Sequence, residues 1–227
     1  MPKQSRPTAR RADALSRERI VQAAIEMLDA GGETALTVRA LAARLATGSG
    51  ALYWHVDDRN GLLAAATGDV FARALAEVVG EKEPRAAIRA IALAVFDAID
   101  AHPWAGAHLS REPWHPSVGE IFERIGGRLQ ALGVPARAQF DCASALANYI
   151  LGTAGQNAAN ARLLPEGTDR RASLAAMAER WIRDDPERRA FVRQVAEQLC
   201  EHDDRQQFLA GVDLILAGAC ASAASRR

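Results

Sequence analysis

From Ser16 onward the apolar residues fall in a helical rhythm: Ile20, Val21, Ala24, Ile25 and Leu28 make one stripe, with Ser16 placed to cap its start. Gly31 and Gly32 end the stripe, as glycine does where a helix closes on a left-handed residue. Thr37 opens a short second helix with Val38, Leu41, Ala42 and Leu45 inward. A turn at 47–50 leads at once into a third helix, about 49–55, whose inward side chain is Leu52. Asp57 or Asp58 caps a fourth helix over about 59–79, and residues 80–84 form a connector. Helical patterns then cover about 85–101, 117–132, 136–163, 169–184, 186–201 and 205–222. The stretch 102–116, with three prolines, is predicted to be irregular, and 164–167 to close the long helix. No alternating, strand-like pattern persists, and no internal repeat of 20–50 residues is present. The predicted fold class is all-α.

Composition agrees. The 227 residues hold 49% hydrophobic and 25% charged side chains with mean hydropathy −0.12, a globular balance with chain enough for a proper core. Alanine is abundant and β-branched residues are sparse, which favours helix over sheet. No run approaches the ~18 apolar residues of a membrane span. The first residues lack the apolar segment of a secretory leader. Cys142, Cys200 and Cys220 are odd in number and widely spaced, which argues against a disulfide framework and suits the cytoplasm.

The formal net charge is zero, yet residues 1–19 carry six Lys or Arg against two Asp or Glu. A basic arm on a neutral body points to a polyanionic partner, although an ordinary solvated tail has the same composition. We divide the chain into the arm (1–15), a unit of four short helices (16–68) and a larger helical body (69–227).

The first three helices have the grammar of a helix-turn-helix, whose second helix of the pair enters the major groove. In the third helix only Leu52 serves the interior. Ser49, Gly50 and Ala51 are small enough to let the backbone approach base edges, and Tyr53, Trp54 and His55 offer donors suited to phosphate. The alternative is that Tyr53 and Trp54 pack against neighbouring helices. Over 16–68 the pattern LT-x-R-x-LA, then ALYWHV, then LL resembles the N-terminal domain of TetR-type transcriptional repressors, with a Tyr-Trp-His-Val ending similar to the tetracycline-repressor branch. The resemblance implies that Arg39 reads bases and that Ser49, Gly50 and Ala51 face base edges. It implies that Tyr53, Trp54 and His55 grip sugar-phosphate, that Thr37 presents a helix N-terminus to phosphate, and that Arg59 binds phosphate in place of a lysine. Asp57 and Asp58 depart from the pattern by adding negative charge there, and 48–50 lacks any long side chain for a bidentate base contact.

The body matches the family weakly. Residues 147–152 and 208–218 resemble its two dimerisation helices, and lines of small residues support close packing: Asn148, Gly152 and Gly155 on one helix, Gly211 and Gly218 on the other. Such lines also serve contacts within one chain. Beside the first runs a polar line, Tyr149, Thr153 and Gln156, which together with Trp104, His108 and Trp114 makes a candidate effector cavity for an uncharged, partly aromatic small molecule. His102, His108 and His115 are spaced by 6 and 7, which fits no common zinc pattern, so no metal and no cofactor are expected. No nucleophile elbow, paired-histidine metalloprotease motif or phosphate loop is present, so no enzyme is expected. The expected function is a cytoplasmic homodimeric regulator, most simply a repressor released from operator DNA by a small molecule. A helical small-molecule-binding or scaffolding protein with a vestigial helix-turn-helix is the alternative.

Overall fold

The computed structural model describes residues 15–78, 80–163, 169–184 and 187–224. The basic arm, all but its last residue, and the turn at 164–167 lie outside the described residues. Eleven helices and no strand occur among the described residues: α1 (Arg17–Ala35), α2 (Val38–Arg44), α3 (Ser49–Leu52), α4 (Arg59–Ala76), α5 (Pro84–Ala101), α6 (Pro103–Arg111), α7 (Pro116–Ala131), α8 (Ala136–Leu163), α9 (Arg170–Asp184), α10 (Ala190–Glu201) and α11 (Asp204–Ala224).

The local signals act where the pattern placed them. The Ser16 side chain accepts from the Arg19 amide and that of Thr37 from the Ala40 amide, while Asp58 accepts from the Gly61 amide at 2.7 Å. Each satisfies an amide that a helix start leaves without a partner. Gly32 takes φ 64°, which breaks α1 into a long segment and a short continuation through Ala35. The third helix is shorter than its sequence suggests: regular structure ends at Leu52, and Tyr53 to His55 continue as turn.

The stretch 102–116 is not irregular. Pro103 and Pro116 each begin a helix, where a missing amide costs nothing and the fixed φ is already helical. Pro103 thereby starts α6, a helix that the three prolines disguise.

Ile20, Ala24 and Leu28 of α1 pack with Leu41, Leu52, Leu62 and Phe71 from α2, α3 and α4. The same apolar cluster runs on through Ile88 and Val95 of α5, Ile121 and Ile125 of α7, Leu146 and Ile150 of α8, and Phe208 and Val212 of α11. Helix α4 crosses residue 68 unbroken, and α5 packs on α4, α6, α7, α8 and α11. Arg205 pairs with Asp97 at 2.7 Å and Arg89 pairs with Asp213, tying α11 along α5. The helices α9 and α10 pack chiefly on each other.

Candidate nucleic-acid interface

Helices α1 to α4 bury their apolar sides and leave one polar and aromatic face outside. Arg39 is exposed on α2, opposite the buried Leu41. Ser49 and Gly50 are exposed at the start of α3 and Ala51 is half-buried, while Leu52 fills the interior completely. Val56 is also buried, so the backbone between these two anchors must bulge outward with Tyr53, Trp54 and His55. Tyr53 is 55% and Trp54 89% exposed. This excludes the packing alternative for Trp54: an indole left almost wholly in water forgoes the burial that makes a tryptophan worth placing in a core. The hydroxyl of Thr37, exposed, already caps α2.

Arg59 and Asp58 play parts that their residue types alone do not reveal. Asp58 is spent as the cap of α4. The Arg59 guanidinium turns inward: Nε donates to the Leu36 carbonyl at 2.8 Å and a terminal nitrogen to the Glu33 carbonyl. It fastens α4 to the end of α1 and the link to α2, which turns two of its five N–H donors to backbone carbonyls.

The residues predicted to line an effector cavity do not come together. Trp104 is 2% exposed, and its indole Nε1 donates to Asp29 of α1 at 2.7 Å. Trp114 is 93% exposed. Tyr149 is occupied by packing: its hydroxyl donates to the Phe208 carbonyl, its ring stacks on Phe208 at 5.8 Å, and Thr153 bonds its hydroxyl. Gln156 lines a small groove of about 230 Å³ between α6 and α8, with Gly152 and Gly155. Of the predicted cavity residues, His108 is buried with an unsatisfied atom, Nε2. Burial, and then the neighbouring His115 and Arg111, hold its pKa below the ordinary range. His115, with its ring edge-on at 5.6 Å, donates from Nε2 to the Ala64 carbonyl and accepts at Nδ1 from the Ser117 amide. Thr67 on α4 is fully buried with an unpartnered hydroxyl. A cleft of about 600 Å³ opens between α4 and α7, walled by Ala64, Gly68, Phe71, Leu75, His115 and Ser117, with Arg17 and Arg124 among its polar edges.

The family model for bacterial regulatory proteins of the tetR family matches residues 20–66. Over a much longer stretch the chain is similar to a TetR transcriptional regulator of Streptomyces coelicolor of known structure. The two are 47% identical, with a TM-score of 0.82, and the match covers 92% of this chain and 99% of that one. The chain belongs to the TetR family. Among curated TetR-like relatives, an HTH-type transcriptional regulator of Saccharopolyspora erythraea is 31% identical over 140 residues, 61% of this chain and 59% of the relative. The HTH-type transcriptional repressor DrrR1 of Streptomyces coeruleorubidus is 28% identical over 178 residues, 78% of this chain. The chain spans less than two thirds of both curated relatives, 59% and 64%.

The body of this TetR-family chain leaves the predicted small-residue lines in different surroundings. Asn148 and Gly152 are exposed on α8, and a Cβ added at Gly152 or Gly155 meets nothing within 4 Å. Gly218 lies on the exposed side of α11 with Leu214. Gly211 faces inward: a Cβ there would lie 2.0 Å from the Tyr149 hydroxyl oxygen, so this glycine serves a contact within the chain. Two residues that the sequence reading passed over, Asp29 and Glu33, meet α6 through Trp104, His102 and Arg111. For Asp29 a signal was available: it is an acid in the last turn before the Gly32 break, where the helix dipole disfavours it, and no basic residue lies within 28–35. Among the described residues no group of three or more His, Cys, Asp or Glu could hold a metal ion, and no helix is long and apolar enough to cross a membrane.

Proposed function

We propose that the chain is an operator-binding regulator that acts in the cytoplasm as a homodimeric repressor and is released by a small molecule. The observation that carries it is the outward face of α2 and α3 in a TetR-family chain. There Arg39, Ser49, Gly50, Tyr53 and a nearly bare Trp54 project from a buried frame set by Leu41, Leu52 and Val56. Arg39 reads a base edge, Ser49, Gly50 and Ala51 permit close approach, Tyr53, Trp54 and His55 hold sugar-phosphate, and the amides at Thr37 favour a phosphate. Arg59 sets the position of this face through its bonds to the Leu36 and Glu33 carbonyls. The chain acts by binding and not by catalysis.

The exposed side of α8 at Asn148, Gly152 and Gly155, with Leu214 and Gly218 of α11, supports a two-fold interface, since small residues let helices approach closely. For the effector we favour the α4–α7 side over the polar line of α8. Its cleft is of ligand size, its walls are mostly apolar, and Thr67 Oγ1 and His108 Nε2 are buried nearby without a hydrogen-bond partner. An uncharged, partly aromatic molecule suits those walls. A ligand that prefers another arrangement of α4 and α7 would shift the spacing of two recognition helices away from successive major grooves, about 34–36 Å apart.

A mobility shift with the DNA flanking the chain's own gene tests the reading. A retarded complex with two chains per duplex, lost on adding unlabelled specific DNA and kept with random DNA, supports it. Equal competition by both DNAs would contradict it.

A further inference from the structure

We infer that Asp29 is a positioning residue for DNA binding: it clasps α6 to α1 and so fixes where the recognition face sits relative to the body. The inference rests on the operator-binding reading above. One oxygen of Asp29, Oδ1, accepts from His102 Nδ1 and from Trp104 Nε1, both at 2.7 Å. A carboxylate only accepts, so both ring N–H groups point at it. Just past the Gly32 break in α1, Glu33 accepts from Arg111. His102 and Trp104 lie at the start of α6 and Arg111 is its last residue. Helix α6 is thus strapped to α1 at both ends, by Asp29 before the Gly32 break and by Glu33 after it.

The strap continues toward DNA. The backbone carbonyl of Glu33 accepts from Arg59, whose Nε also donates to the Leu36 carbonyl, immediately before α2 and its Arg39. A connected set of hydrogen bonds therefore runs from α6 through the end of α1 to the start of α2 and of α4. Apolar packing tolerates sliding, whereas charge-assisted hydrogen bonds fix direction and distance. The clasp is half-exposed on its acid side, with Asp29 37% accessible, and it works against the helix dipole. An acid kept at such a place contributes orientation more than bulk stability. The other end of the clasp is rigid: the Trp104 indole is buried, with the His102 ring edge-on at 5.9 Å.

The test uses full-length protein and a palindromic duplex enriched by the wild type from a random pool, together with a duplex carrying one half of it. A dimer must match two grooves at once on the full site and one on the half-site. Asp29→Ala is expected to lose at least tenfold on the full site, to stay within twofold of wild type on the half-site, and to shift the melting temperature little. Asp29→Asn keeps an acceptor and should recover most of the full-site affinity, while Trp104→Phe, which removes the donor and keeps a smaller aromatic ring, should fall between. Should Asp29→Ala fail to fold, Trp104→Phe decides alone, by the same full-site to half-site ratio. Unchanged affinity on both duplexes, or an equal loss on both, overturns the positioning role and leaves the DNA-binding reading intact. A pool from which the wild type enriches nothing overturns that reading and this inference together.

Discussion

Replacing Gly211 by alanine should destabilise the chain through Tyr149, although alanine is the better helix former. A Cβ at 211 would lie 2.0 Å from the Tyr149 hydroxyl oxygen, 2.3 Å from Cζ and 2.9 Å from Cε2, so the ring cannot stay. Its displacement breaks the hydroxyl's bond to the Phe208 carbonyl and the stack on Phe208, which itself packs on Phe96 at 4.7 Å. Overpacking costs about 1–3 kcal/mol and a lost hydrogen bond about 0.5–1.5 kcal/mol. Against these stands a helix-propensity gain of about 1 kcal/mol. The net expectation is a loss of about 1–3 kcal/mol, a fall of roughly 2–4 °C per kcal/mol for a chain of this size. Tyr149→Leu is destabilising alone, but it clears the space, so Gly211→Ala added to it should be neutral or stabilising by up to about 1 kcal/mol. Denaturant titrations of the wild type, both single variants and the double variant at one protein concentration close the cycle. Additive effects, or a Gly211→Ala variant as stable as wild type, would refute the reasoning.

Arg59→Ala should cost about 1–3 kcal/mol of stability, because two carbonyls at the α1–α2 link lose charge-assisted bonds. The salt slope of operator binding should stay unchanged, and a slope reduced by about 1 would show a phosphate contact instead. Burial lowers the pKa of His108, so the unfolded chain takes up its proton at higher pH than the folded chain. Its contribution is complete above about pH 6.5 and lost as pH falls through the lowered value, so melts of wild type should drop faster than those of His108→Gln between pH 7.5 and 5.5. Parallel melts would show that His108 does not titrate with folding. Leu214→Glu, on the exposed side of α11, should yield monomer by sedimentation with monomer helicity intact, and an undisturbed dimer would move the interface elsewhere.

The helix-turn-helix was legible because its signals are local. Caps at Ser16, Thr37 and Asp58, the Gly32 break and the inward Leu41 and Leu52 follow from neighbours within four residues. Helix α6 was hidden because proline marks both a helix's end and its first position, and Pro103 takes the second role. The polar line of α8 illustrates a different limit. Helical phase places Tyr149, Thr153 and Gln156 along one side, but only the approach of α11 decides that Tyr149 meets Phe208 and Gly211. Arg59 was legible as a cation at the right position, and its partners were not, since they are carbonyls 23 and 26 residues earlier. Asp29 is the converse case, an acid out of place on its own helix whose reason lies on α6, 75 residues away at Trp104.

DNA recognition is assigned to the outward face of α2 and α3, and operator affinity of the full-length Arg39→Ala and Trp54→Ala variants tests that assignment most directly. Both side chains are exposed and anchor nothing in the interior, so melting temperatures should match wild type. Arg39→Ala should lose about 1–3 kcal/mol of operator affinity and part of the discrimination against random DNA. Trp54→Ala should weaken both operator and random DNA. Operator binding at wild-type strength by both variants would contradict the assignment of this face to DNA.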